Sequence, residues 1–123
     1  MDAVISSLRI RNPSKGAISD GQIICIDPSP DARGIFTLDD SGTPVVVKSG
    51  ALFRFPGDVQ FVSIVYSGQA FVSTESDDGA NFRTMTQVFY NKGTKTITST
   101  VTSDSIGYVL DGGVRCDRIL VSK

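Results

Sequence analysis

The chain has 123 residues, 12 basic and 13 acidic side chains, a net charge of −1 and 40% hydrophobic content. That balance describes a single globular domain and excludes both a disordered tail and the wide basic footprint of a nucleic-acid binder. Apolar runs reach only about four residues against the roughly 20 that span a bilayer, and Met1-Asp2-Ala3 opens with neither a basic n-region nor an apolar h-region, so neither a membrane span nor a signal peptide is expected.

Taken in order, residues 1–13 read as an N-terminal arm, with Val4, Ile5, Leu8 and Ile10 scattered among serines and arginines and Pro13 closing the segment. Such an arm docks on a partner, or adds a strand to a sheet edge. The alternative is that it forms the first strand of the chain's own sheet. Arg9, Arg11 and Lys15 read as solvated charges. Residues 14–123 are expected to form the β domain. Gly21 to Asp27 is an apolar strand ended by Pro28 and Pro30, which cannot donate to a ladder. Gly34 to Leu38 is a short strand followed by the turn Asp39-Asp40-Ser41-Gly42. Pro44 to Lys48 follows, then a turn at Ser49-Gly50, then Ala51 to Phe55, the turn Pro56-Gly57-Asp58, and the longest strand, Val59 to Tyr66. Ser67-Gly68 turns the chain into Gln69 to Ser73. Residues 74–84 are the most polar stretch and read as an exposed loop.

The run from Met85 to Leu110 carries the clearest pattern. Gln87-Val88-Phe89-Tyr90 and Thr94 to Thr102 are rich in β-branched and aromatic residues, which suit a pleated surface. Asn91-Lys92-Gly93 between them offers Asn and Gly where a tight turn needs positive φ. A β-hairpin is predicted, with Ser105 to Leu110 as a third strand. Threonines 94, 96, 98, 100 and 102 share one parity, opposite Ile97 and Val101, so a wet threonine face is expected. Asp111-Gly112-Gly113 is the last turn and Arg118 to Val121 the last strand. No stretch holds a helical period long enough for a helix. Turn signals recur at the spacing of sandwiches and barrels. The expected fold is all-β: a single-domain antiparallel β-sandwich or barrel, jelly-roll-like, of about eight to ten short strands.

Little in the sequence points to chemistry. Without histidine, the usual base for a serine or cysteine nucleophile is missing, and Ser14-Lys15 carries no spaced motif. Cys25 and Cys116 are too few for a zinc site. With no export signal both are expected as reduced thiols, a disulfide between them being the alternative if their strands are neighbours. Asp27, Asp31, Asp39, Asp40, Asp77 and Asp78 all fall in turn contexts, where Asp binds nearby backbone. A glycosidase pair built from two of them is the rival reading. The alternating Asp/Asn loop of an EF-hand is absent, as is the strand–loop–helix setting of a phosphate loop. The phenylalanines and tyrosines are expected mainly in the core, with a sugar or peptide groove as the alternative. No enzyme, cofactor, metal, nucleic acid or membrane partner is expected.

The C-terminal third resembles the small capsid cement, or head decoration, proteins of tailed bacteriophages. Those chains carry a K-V-Y-W/Y strand, a polar turn, a Thr-rich strand, an I-G-Y-A segment and a closing V-R-V-R-L-like strand. The counterparts here are Gln87-Val88-Phe89-Tyr90, Asn91-Lys92-Gly93, Thr94 to Thr102, Ile106-Gly107-Tyr108-Val109-Leu110 and Arg118-Ile119-Leu120-Val121. Leu52-Phe53-Arg54-Phe55-Pro56 is similar to the family's G-V-F-x-L-P, and Gly21-Gln22-Ile23-Ile24 to its opening G-D-V-V.

The resemblance implies a virion structural protein, made in the host cytoplasm, that binds the outside of a capsid and clamps adjacent major capsid subunits. It implies self-association as a dimer or trimer on the shell. The segments expected to touch the shell are the arm (Val4, Ile5, Leu8, Arg9, Ile10, Arg11) and the polar loop (Glu75, Asp77, Asp78, Asn81, Arg83), because irregular segments on a rigid scaffold carry recognition. The alternative is a carbohydrate- or ligand-binding β module of a phage fibre or cell surface, which predicts exposed aromatics on one sheet face. Another capsid or tail structural protein is the third reading.

Overall fold

The computed structural model describes residues 4–14, 16, 18–53, 57–72, 82–111 and 119–122. These residues are all-β and form ten strands in two five-stranded sheets, a small β-sandwich. The first sheet contains β1 (Val4–Arg11), β2 (Ile23–Ile26), β3 (Ile35–Thr37), β4 (Thr43–Phe53) and β5 (Val59–Ser67), in the order β2-β4-β5-β1-β3. Its neighbours are antiparallel except β1 and β3, which run parallel. The second sheet contains β6 (Gln69–Val72), β7 (Gln87–Asn91), β8 (Thr96–Thr98), β9 (Ser105–Asp111) and β10 (Ile119–Ser122), in the order β6-β10-β9-β7-β8, all antiparallel.

The chain crosses from one sheet to the other at a single buried residue. β5 ends at Ser67, β6 begins at Gln69, and Gly68 between them has φ of 89°. A side chain at that angle would crowd its own backbone, so glycine is the natural corner.

The continuous apolar runs are explained by burial on both faces of the first sheet. Period two sends alternate residues to opposite sides. Ile23, Val46 and Val65 point at the second sheet and join Val72, Phe82, Val88, Tyr90, Ile97, Ile106 and Val109 in the core between the sheets. Ile24, Ile26, Val45, Val47, Val62 and Ile64 point the other way and form a second core with Ile10 and Ile18. That second core is enclosed because the first sheet curls. Its two outermost strands meet through an antiparallel bridge between Ile26 and Leu38, with Asp27 N–H donating to Thr37 O at 2.9 Å and Asp39 N–H to Cys25 O at 3.0 Å. Each fully buried Val or Ile contributes about 1.5–3 kcal/mol relative to exposure.

The structure decides one reading left open by the sequence and departs from three expectations. Of the two readings open for the first segment, β1 takes the in-sheet one: residues 4–11 pair with β5 on one side and Arg9, Ile10 and Arg11 with β3 on the other. The turn expected at Ser49-Gly50 lies inside β4, an 11-residue strand whose register to β5 shifts between Val47 and Ser49 and between Gly50 and Phe53. Bulges absorb the irregular residues without ending the strand. The hairpin of β7 and β8 and the third strand β9 form as expected, but β8 is only Thr96–Thr98 and it is not wet. Thr96 and Thr98 are 8% and 3% exposed. Threonine tolerates this because its hydroxyl finds local partners: Thr94 and Thr96 hydroxyls lie 2.6 Å apart, and Thr98 Oγ1 accepts from Thr100 N–H at 3.0 Å. The turn also works differently. Asn91 stays extended and its Oδ1 accepts from Gly93 N–H at 2.9 Å and Thr94 N–H at 3.3 Å, while the positive φ, 58°, falls on Lys95.

Candidate interaction surface

The two faces of the second sheet differ. In β6 the alternation is strict: Ala70 and Val72 are buried, Gln69 and Phe71 exposed. In β9, Val109 is fully buried and its neighbour Tyr108 is 46% exposed; Phe71 is 44% exposed. Pairing places these residues in one array on the outer face. Phe71 stands opposite Leu120, Leu120 opposite Asp111, and Ser122 opposite both Gln69 and Tyr108. Gln87 stands opposite Tyr108 on the other side and donates to Ser105 Oγ at 3.2 Å. Met85, 64% exposed, lies beside the array, its N–H donating to Val109 O at 2.6 Å. The first sheet buries side chains on both of its faces; on the outer face of the second sheet Phe71 and Tyr108 are exposed, while Phe89, Thr96 and Thr98, of opposite parity to the core residues Tyr90 and Ile97, are buried.

A second feature is a cleft of about 190 Å³ at the seam between the sheets, where β2 meets the β7–β8 turn; Cys25, Leu38, Asp40, Tyr90, Lys92 and Lys95 line it. Lys92 Nζ spans the seam: it lies 3.4 Å from Asp104 Oδ2 and donates to Ser41 O at 3.3 Å. Lys95 Nζ lies 3.6 Å from Asp40 Oδ1. Burial pushes the Cys25 thiol and the Tyr90 phenol up from their ordinary values, so both stay protonated at neutral pH. A protonated thiol is a poor nucleophile, and the chain has no histidine to take its proton. The volume is also below the ~300 Å³ at which small-molecule pockets begin. The cleft is a packing seam spanned by a lysine.

Asp27, Asp31 and Asp39 serve the turns, as their sequence settings predict; Asp40 pairs with Lys95, and Asp77 and Asp78 lie outside the described residues. Asp31 Oδ1 accepts from Arg33 N–H at 2.8 Å and Ile35 N–H at 3.0 Å; Asp39 Oδ1 accepts from the Ser41 N–H at 3.0 Å and hydroxyl at 2.8 Å; Asp27 Oδ1 accepts from Ser29 N–H at 2.9 Å. These bonds hold the Asp31 and Asp39 carboxyls below their ordinary value, opposite to what a general acid needs. Among the described residues no group of three or more His, Cys, Asp or Glu is arranged to hold a metal ion.

Among the described residues, those expected at the shell contact lie mostly within the first sheet. Ile10 is 0% exposed and can touch no partner, because its strand lies inside the first sheet and its side chain joins the enclosed core. Leu8 is half-buried and packs on the same core. Val4 and Ile5 pair with Ser67 and Val65 of β5. Arg9 donates to the Arg33 carbonyl. Arg11 is held between Asp58, at 3.2 Å, and Asp31, at 3.8 Å. Arg83 is exposed. Glu75, Asp77, Asp78 and Asn81 lie outside the described residues, as does Cys116.

Phe71 and Tyr108 were expected mainly in the core with the other aromatics, and there Phe82, Phe89 and Tyr90 are indeed buried. A signal was available for Phe71: in Gln69-Ala70-Phe71-Val72 it shares a parity with Gln69, opposite Ala70 and Val72. No family model, curated protein or solved structure matches this chain.

Proposed function

We propose that this chain is a virion structural protein that seats on the outside of a phage capsid and clamps adjacent major capsid subunits. One observation carries the reading. The C-terminal segments that resemble the cement proteins are hydrogen-bonded neighbours, β10-β9-β7-β8, and so make up four consecutive strands of one sheet. That part of the resemblance falls on a structural unit; the looser matches at residues 21–24 and 52–56 overlap β2 and β4 of the first sheet. The chemistry of the described residues is in keeping with a role in contact: lysines and aspartates pair or close turns, and the thiol is protonated. A clamp of this kind binds the assembled shell better than free subunits and stabilises it by mass action. A copy that spans two subunits gains from effective concentration, so modest contacts suffice. Among the described residues of the expected contact, Arg83 is exposed and Arg11 keeps 40% of its side chain exposed.

Co-sedimentation of the purified chain with capsids lacking it tests the reading. Binding to assembled shells and not to free capsid subunits is expected. Equal failure on both would remove the proposal.

The exposed Phe71 and Tyr108 favour a second reading, a carbohydrate- or ligand-binding β module, since sugars stack on aromatic rings presented by a sheet. Glycan-array binding by the isolated chain, lost in Tyr108→Ala, would replace the first reading with this one.

A further inference from the structure

We infer that the turn at residues 83–86 is a contact knob: Met85 seats in an apolar depression of the partner, and Arg83 meets a carboxylate at its rim. The identity of that partner, the capsid shell, rests on the reading above; Met85 is a residue the sequence did not single out. Three observations carry the inference.

The first is backbone strain. Thr86 N–H donates to Arg83 O at 3.0 Å, closing a β-turn whose third residue, Met85, has φ of 70°. In a type II turn that position calls for glycine or asparagine, because other side chains crowd their own backbone there. Such strain persists where the surroundings over-determine it. Here Met85 N–H donates to Val109 O at 2.6 Å, Val109 N–H donates to Thr86 O at 2.9 Å, and the preceding Phe82 is 2% exposed.

The second is that the strained residue covers little of its own chain. Met85 is 64% exposed, and Arg83, Thr84 and Gln87 around it are exposed as well. Folding gains little from an apolar side chain left in water. Asparagine would suit both the turn and the solvent, so methionine here serves neither turn nor core. Its long, flexible and polarizable side chain fills irregular apolar gaps, and methionine is enriched in protein–protein contacts.

The third is charge. Among the described residues no carboxylate forms a salt bridge with Arg83, two positions before Met85. Its guanidinium can fork onto a carboxylate of the partner. An apolar tip beside such a cation fits a protein depression with an acidic rim. A nucleic acid would call for a wider basic area than a chain of net charge −1 presents.

Capsids lacking this protein are the probe. Hydrogen peroxide oxidises an exposed methionine to the sulfoxide: one peroxide oxygen adds to sulfur and water leaves. Oxidation of Met85 should be at least about tenfold slower in the capsid-bound chain than in the free one. The tryptic peptide 84–92 reports Met85 apart from Met1. Met85→Asn should raise the urea midpoint, since asparagine accepts left-handed φ. It should also weaken capsid binding at least about tenfold, the loss expected when one methionine contact is removed. Met85→Leu, apolar and of similar volume, should bind within about fivefold of wild type. Arg83→Glu should weaken binding, more at low salt than at high.

A wild type that binds capsids while Met85 oxidises at the free rate would overturn the inference and leave the capsid reading standing. So would a Met85→Asn chain that binds like wild type. A Met85→Asn chain less stable than wild type would show that the side chain packs on its own chain, and would overturn it too. Failure of the wild type to bind capsids removes both readings.

Discussion

Ile26 and Leu38 face each other across an antiparallel bridge, although β2 and β3 lie at opposite edges of the first sheet. This contact closes the curl around the enclosed core, and the turn after Leu38 is built tightly against it. Gly42 N–H donates to Asp39 O at 2.8 Å, and a Cβ at Gly42 would stand 2.2 Å from the Ile26 carbonyl oxygen and 2.5 Å from its carbon.

Gly42→Ala should therefore destabilise the fold by more than about 2 kcal/mol, since backbone on both sides of the clash would have to move. Gly16→Ala, whose Cβ would meet nothing nearer than Ser14 Oγ at 3.8 Å, should change stability by less than about 0.5 kcal/mol. Urea unfolding of the two variants measures the contrast. Equal effects would show that the curl does not depend on this approach.

Lys92 and Lys95 sit in the same turn but should behave differently. The Lys92–Asp104 side chains are 33% and 16% exposed, and Lys92 also reaches Ser41 O; the Lys95–Asp40 side chains are 65% and 86% exposed. Lys92→Ala should cost about 1–2 kcal/mol, through a part-buried pair and a lost hydrogen bond to a carbonyl. Lys95→Gly should raise stability by up to about 1 kcal/mol, because relief of the left-handed backbone at φ 58° exceeds the loss of an exposed pair. Denaturant midpoints of both variants test this; a loss in Lys95→Gly as large as that in Lys92→Ala would refute it.

Stability should have a plateau bounded on both sides. Asp31 and Asp39 are held below 3.8, chiefly by the Ile35 N–H and the Ser41 hydroxyl respectively. Their contribution is present above the unfolded value and is lost as pH falls through the folded one, so the acid arm lies below about pH 4. Cys25 and Tyr90 are raised above 9.0 and 10.0 by burial. Their contribution is complete below the unfolded values and is lost as pH rises through the folded ones, so the alkaline arm begins above about pH 9. Urea midpoints across pH should show both arms. Asp31→Asn should shallow the acid arm and Cys25→Ala the alkaline one. An unchanged slope in either variant would reject that assignment.

Much of the architecture was legible locally. The β7–β8 hairpin, the third strand β9, the Asp39–Gly42 turn and the aspartate-capped loops all follow from alternation and turn residues. Ile23–Ile26 and Val45–Val47 could be recognised as buried strands, since apolar residues of both parities leave no wet side. The same local signals misread Ser49-Gly50, which bulges absorb within β4, and the threonines of β8, which short-range hydroxyl bonds allow to be buried.

What the sequence alone determined is the pleated period and the places where the chain turns, because both depend on residues within a few positions of each other. Which faces are covered was decided only by tertiary structure. β1 runs between β5 and β3, and the first sheet curls until Ile26 meets Leu38. On the outer face of the second sheet Phe71 and Tyr108 are exposed while Phe89, Thr96 and Thr98 are buried. Those outcomes depend on strand order between residues far apart in the chain, and the same alternation is consistent with more than one such order.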